Sequence, residues 1–269
     1  MDKLVSLWSV ISALLGIGIL IWILFGVIAR GASALNLSFF TQLPTPPGMS
    51  GGGLANAILG TLAMTVGATL MSVPIGLMSG IYLAEFGQES RVADNSRFSA
   101  NVLMGMPSII IGVFAYTLVV LPLGHFSGYA GVVALAILMI PVVTRTTEDM
   151  LRLVPNTLRE SALALGAPRW KVTLAVVFRA AKAGLLTGIL LAVARVSGET
   201  APLLFTALNS PYWFKSLSGP TANLTVTIYN YAVSPYEDWQ RIAWGASLLI
   251  TVSVLAFTLM ARFFLRTRN

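Results

Sequence analysis

Six long apolar stretches constrain this chain more than any other feature, because about 20 apolar residues rising ~1.5 Å each are what it takes to cross a hydrocarbon layer of ~30 Å. They lie at residues 4 to 29, 54 to 84, 99 to 121, 128 to 144, 183 to 208 and 242 to 261. Pro74 falls in the second and Pro141 in the fourth, and Met106-Pro107-Ser108 interrupts the third, so kinks are expected at these places. With 56% hydrophobic residues, 10% charged ones and a mean hydropathy of +0.82, the chain cannot clothe a water-soluble surface. The expectation is an all-α polytopic membrane protein with six transmembrane helices. It reads as one domain over residues 1–269, with a core at about 54–264 and a first helix at about 4–29.

The cations choose the orientation. Arg91 and Arg97 fall between spans two and three, and Arg145, Arg152, Arg159, Arg169, Lys171, Arg179 and Lys182 between four and five; Arg262, Arg266 and Arg268 follow span six. The opposite loops hold Arg30, Lys215 and Arg241. An even span count and this bias predict both termini on the cytoplasmic side. Ala32-Ser33-Ala34 offers a small-residue cleavage site after span one, but the apolar run from Leu4 to Ala29 exceeds the ~7 to 15 residues of a cleaved signal, which favours an uncleaved anchor. A net charge of +7 would suggest nucleic acid in a soluble chain; here the cations flank apolar runs, as expected of anchors, and no nucleic-acid partner is implied.

Between spans four and five, in a loop at about 145–171, stands a short charged segment, Thr157-Leu-Arg-Glu160-Ser161-Ala162-Leu-Ala-Leu-Gly166-Ala-Pro168-Arg169-Trp170-Lys171. Thr157 with Glu160 has the spacing of a capping box, Pro155 precedes it, Gly166 suits a left-handed exit and Pro168 blocks continuation, so a short helix is predicted. A capping glutamate needs no partner. An ordered helix in the longest cytoplasmic loop, with nothing of its own to pack on, is more simply explained by one.

Arg195 is the most costly residue for a membrane span, about 12 residues or ~18 Å beyond Ala183 and so near the bilayer midplane. Glu199 follows one turn later within Ser197-Gly198-Glu199-Thr200. Two readings stand open: an internal pair at a subunit contact, or an anion gate in which the guanidinium forks onto oxyanion oxygens and Glu199 limits how tightly they are held. Gly198 and Pro202 would let the helix open its backbone there. Thr61, Thr65, Thr69 and Ser72 form a hydroxyl stripe that either lines a polar route or, as is commoner, bonds back to carbonyls and packs. Gly76-x3-Gly80 and Gly184-x3-Gly188 are contact motifs, and Tyr212, Trp213, Tyr229, Tyr231, Tyr236 and Trp239 read as an aromatic belt.

Enzyme chemistry finds no motif: there is no phosphate-binding Gly-x4-Gly-Lys-Ser/Thr loop, no His-Glu-x-x-His and no Ser/His/Asp set. With no cysteine and a lone His125 in a Gly-rich turn, neither thiol chemistry nor a metal site is expected, nor any cofactor. If ATP drives this protein, another subunit binds it.

The Glu160-Ser161-Ala162-x3-Gly166 spacing resembles the EAA loop of ABC importer permeases. Gly51-Gly-Gly-Leu-Ala-Asn56-Ala-Ile-Leu-Gly60-Thr61, Pro74-Ile-Gly76, Ile81-Tyr82-Leu-Ala-Glu85, Met106-Pro107-Ser108 and Ser197-Gly-Glu199-Thr-Ala-Pro202-Leu-Leu together resemble the PstA-type permeases of phosphate importers. The resemblance implies a type I ABC importer permease fold in a bacterial or archaeal cytoplasmic membrane. Its implied partners are a second permease of the PstC type, an ATPase dimer of the PstB type, a phosphate-binding protein of the PstS type, inorganic phosphate and membrane lipid. It places Glu160, Ser161, Ala162 and Gly166 against the ATPase, and Arg195 and Glu199 on the phosphate path. A sister permease for molybdate, sulfate or phosphonate, and a secondary phosphate symporter, are the alternatives. Ser161 departs from the usual first Ala, and Val176-Val-Phe178-Arg179 from Ile-x-Leu-Pro, which removes a proline irregularity from the following helix.

Overall fold

The computed structural model describes residues 2–87 and 90–266, which places Arg268 outside the described residues. Among the described residues the helices are α1 (Asp2–Gly31), continued by a 3-10 turn (Ala32–Ala34), α2 (Leu37–Thr41), α3 (Ala55–Phe86), α4 (Arg91–Gly105), α5 (Ser108–Leu123), α6 (Gly128–Arg152), α7 (Asn156–Ala164), α8 (Arg169–Ser197), α9 (Ala201–Leu204), α10 (Leu224–Ala232) and α11 (Glu237–Arg266). Five of these are long and apolar enough to cross a membrane unaided, and α4 with α5 makes a sixth crossing if counted together.

Glycine sets the central packing. A Cβ added to Gly67 would lie 2.9 Å from Val132, one added to Gly76 2.7 Å from Val143, and one added to Gly80 2.5 Å from Thr147. The nearly constant offset, 65 residues at the first pair and 67 at the other two, shows α3 and α6 side by side and parallel, close enough that a methyl group has no room. Gly184 against Met150 and Gly188 against Thr146 pack α8 antiparallel to α6, beside α3. Both Gly-x3-Gly motifs therefore serve contacts within the chain. Met64, Ala68, Leu135, Met139, Val143, Ala192 and Val196 fill the core between these three helices.

Because α3 and α6 run the same way, the chain between them must return across the layer, and α4 with α5 does this through a bend of 106°. Pro107 causes the bend: Met106 before it is held extended at ψ 139°, as a residue preceding proline prefers, and Pro107 follows at ψ 134°. Pro74 and Pro141, by contrast, lie inside continuous helices. The third span thus differs from expectation. Its first limb begins at Arg91 rather than 99, with the Ser90 hydroxyl accepting from the Val92 N–H at 3.2 Å. The fourth span runs on to Arg152, and the fifth occupies Arg169–Ser197 instead of 183–208.

The alternating crossings bring the end of α1 and the start of α11 to the end opposite α7. There Gly31 abuts the Trp244 carbonyl, and the Arg30 guanidinium sits 4.9 Å over the Trp244 ring. The rest of the apolar window of α1 is unburied by this chain. The aromatic belt is only partly as expected. Tyr212 and Tyr229 are exposed, but Tyr231 is buried and stacked on Trp239 at 4.3 Å, and the Trp239 indole donates to the Thr45 carbonyl at 3.3 Å. This pair ties the segment before α3 to α10 and α11, and burial pushes the Tyr231 hydroxyl pKa up to about 12.

Gly80→Ala is expected to force α3 from α6 and to destabilise the protein by about 1–3 kcal/mol. Thermal unfolding in detergent would read this as a lowered midpoint, whereas Gly18→Ala, with nothing within 4 Å, should leave the midpoint in place.

Candidate functional site

The helix α7 stands where a helix was expected, but it is built differently. Its first residue is Asn156, the Pro155 carbonyl accepts the Leu158 N–H at 3.2 Å, and no side chain caps it. Thr157 therefore lies inside the first turn, and the capping box with Glu160 does not form: proline winds the helix two residues early. Glu160 is exposed and has no ion-pair partner among the described residues. The Ser161 hydroxyl donates back to the Thr157 carbonyl at 2.8 Å, so serine in place of alanine offers no free donor.

The exit of α7 is as expected. Gly166 has φ +82°, its N–H reaches the Leu163 carbonyl at 2.9 Å, and the Ala167 N–H reaches the Ala162 carbonyl at 3.3 Å. This is the paired Schellman closure, completed by the half-buried Ala162 and Ala167. Open space surrounds Gly166, so the backbone alone requires glycine there. Beyond it, Val172–Val177 forms a wide π turn within α8, so an irregularity is present even though Arg179 replaces proline.

One arginine fastens α7 to the spans. Arg159 Nη2 lies 2.6 Å from Glu85 Oε1 at the end of α3, its Nε contacts both Glu85 oxygens at 3.2 and 3.3 Å, and Nη2 also reaches the Leu151 carbonyl at 2.7 Å. Both side chains are largely buried, at 17% and 10% exposure, which makes this forked pair stronger than a surface one.

At the other end of α8, Arg195 sits in the final helical turn rather than midway along a span reaching 208. The helix stops at Ser197 because the backbone opens over Gly198-Glu199-Thr200 before α9 begins, as Gly198 and Pro202 had suggested. The Arg195 side chain is 61% exposed, and its Nε stands 4.0 Å from Glu199 Oε1. At that separation the charges attract without a direct hydrogen bond, and the carbonyl end of α8 further favours the cation. The Glu199 carbonyl accepts the Thr225 hydroxyl at 2.8 Å, anchoring the opened segment to α10. Pro202 lies against Gly112 of α5 so closely that an added Cβ would fall 2.6 Å from its Cα. Among the described residues the Arg195 guanidinium makes no hydrogen bond, so its fork is open to an oxyanion, beside a carboxylate that limits net charge.

The hydroxyl stripe is mostly occupied. Thr61 accepts the Leu224 N–H at 2.8 Å, Thr69 donates to the Thr65 carbonyl at 2.7 Å and Ser72 to the Ala68 carbonyl at 2.6 Å. It borders a largely apolar groove of about 570 Å³ between α3, α8 and α11.

Sequence reasoning missed a second charged centre. Glu148 of α6 is fully buried, and three arginines satisfy it: Arg97 Nε at 2.7 Å and Arg152 Nη2 at 2.8 Å on Oε1, and Arg145 Nη1 at 2.7 Å on Oε2. The spacing of Arg145 and Arg152 around Glu148 was readable as helix-face pairing. Arg97, from α4, was not.

A family model for the binding-protein-dependent transport system inner membrane component matches residues 72–268. The chain is 49% identical over 261 residues to the phosphate transport system permease protein PstA of Yersinia pestis, covering 97% of this chain and 88% of that one. It is 50% identical over 268 residues to the protein of the same name from Haemophilus influenzae, covering 100% and 95%. An inward-facing structure of the MetNI methionine ABC transporter shares the fold at a TM-score of 0.67 and 21% identity, covering 80% of this chain and 96% of that one. The parallel α3–α6 core, the exposed α7 and these likenesses agree: this multi-pass membrane chain belongs to the family of binding-protein-dependent transport system inner membrane components.

Proposed function

We propose that this chain is the membrane-spanning permease subunit of an ATP-driven importer of inorganic phosphate. The observation that carries this reading is identity of about half over nearly the full length to proteins named phosphate transport permeases. The chain itself hydrolyses nothing; a separate pair of ATPase subunits drives it, a second permease completes the pathway, and an external binding protein delivers phosphate. The cation-rich end, where α7 projects, is cytoplasmic, and so are both termini.

The roles rest on the resemblance, and the geometry is consistent with them. Glu160, Ser161, Ala162 and Gly166 present α7 to the ATPase, and Arg159 passes its displacement to Glu85 and the end of α6. Movement of α8 turns Arg195 and Glu199 alternately outward and inward. The half-exposed guanidinium binds phosphate oxygens through paired hydrogen bonds, and Glu199 keeps the anion from being held too tightly to leave.

Radiolabelled phosphate uptake by cells carrying the complex is expected to fall with excess unlabelled phosphate and to persist with excess molybdate, sulfate or phosphonate; equal competition by one of these would reassign the substrate. Arg195→Gln removes charge-assisted hydrogen bonds worth about 1.5–3 kcal/mol each, so uptake at limiting phosphate should drop roughly 10- to 150-fold while the complex still assembles. Glu160→Ala should raise the ATP consumed per phosphate moved, measured on the reconstituted complex; an unchanged ratio would remove α7 as the coupling element.

A further inference from the structure

Glu148 and Arg97 lie outside the roles assigned so far, yet both are held too tightly to be incidental. Arg97 of α4 uses all its side-chain nitrogens, two of them across element boundaries: Nε to Glu148 of α6 and Nη2 to the Leu83 carbonyl of α3 at 2.9 Å, while Nη1 bonds to Asp94 within α4 at 2.8 Å. Leu83 is two residues from Glu85, the group that receives Arg159 from α7. The end of α3 is thus gripped from one side by α7 and from the other by α4.

We infer that the bent α4–α5 element is a second transmission arm from α7 to the Arg195 segment, with Arg97 and Glu148 as positioning residues at its driven end and Gly112 at its working end. This rests on the importer reading and extends it, since α8 alone was assigned the movement above. The arm is a crank. α4 and α5 meet at 106° through two extended residues, so rotation of α4 about its own axis sweeps α5 sideways. The far limb bears on Pro202 through Gly112, three residues after Glu199. Displacement of α7 therefore reaches the anion site by two routes, along α8 and through Glu85, Leu83, Arg97, α4, α5 and Pro202.

Glu148 gives the arm its fixed bearing. A buried carboxylate taking three guanidinium bonds holds Arg97 at one place on α6, and the forked arginine transfers that position to α3 and α4 together. Gly112 does the same by contact: packed backbones transmit displacement where a flexible side chain would absorb it.

The test uses the full complex of this chain with its second permease and ATPase pair, reconstituted with a single cysteine at Leu191, an exposed position one turn before Arg195 in a chain without cysteine. The rate of its labelling by a water-soluble maleimide is measured with and without ATP, alongside phosphate moved per ATP. ATP should change the labelling rate, and Arg97→Lys, Glu148→Gln and Gly112→Ala should each reduce that change by roughly 2- to 30-fold and lower phosphate per ATP. Arg97→Lys keeps the charge but loses the fork, and unfolding midpoints identify any variant that acts by destabilisation. The double variant of Arg97→Lys with Gly112→Ala should be no worse than the stronger single one, because the two positions act in series. Single variants that respond to ATP like the parent, or losses that multiply in the double variant, would overturn the arm while leaving the importer reading intact. Labelling of the parent complex that ignores ATP would overturn the lever reading and the arm with it.

Discussion

The parallel contact of α3 with α6 is the constraint from which the rest of this structure follows. Gly76 and Gly80 leave two successive turns of α3 without side chains where it meets α6, and the backbones close on each other there as lipid-embedded helices do when dispersion and not water drives association. Two parallel neighbours cannot be joined by a short turn. The intervening chain has to recross the layer, and the broken α4–α5 element is the form that recrossing takes around Pro107.

That contact also decides where the charges go. Holding α3 and α6 in register brings Glu85 and Glu148 to the same end of the bundle, where each receives an arginine from a different element: Arg159 of α7 and Arg97 of α4. A carboxylate buried alone would be costly, and a carboxylate satisfied by several guanidiniums is instead a strong positional restraint. The cations that read as topology signals thus divide into two groups. Arg145, Arg152, Arg97 and Arg159 are structural fastenings, while Arg169, Lys171, Arg179 and Lys182 form no ion pairs among the described residues and remain simple anchors.

At the opposite end of α8 the design is looser. Arg195 and Glu199 meet at 4.0 Å across a broken backbone, one of them more than half exposed, whereas the Glu148 and Glu85 pairs are shorter than 3 Å and largely enclosed. A charge that must exchange partners needs a weak resident one, and a charge that must transmit position needs a strong one. The strengths of the two classes of ion pair are what the roles proposed for them require, and α4–α5 lies between them.

Much of this was legible in the chain itself. The apolar runs marked the five long spans and the bent α4–α5 pair in the right order, since the cost of burying unpaired backbone in hydrocarbon leaves helices as the solution for such segments. The Gly166-x-Pro168 exit of α7 was readable because left-handed geometry and a missing donor are properties of single residues. What depended on distant neighbours was not readable: the early start of α7 at Pro155, the burial of Glu148, the reach of Arg97 to it, and the position of Arg195 at a helix end. Local sequence determines which segments are helical and apolar. Which charges face one another depends on the relative direction and register of packed helices, and only the assembled α3–α6 core decides these, because a hydrogen bond between residues 51 positions apart leaves no periodic trace in the chain.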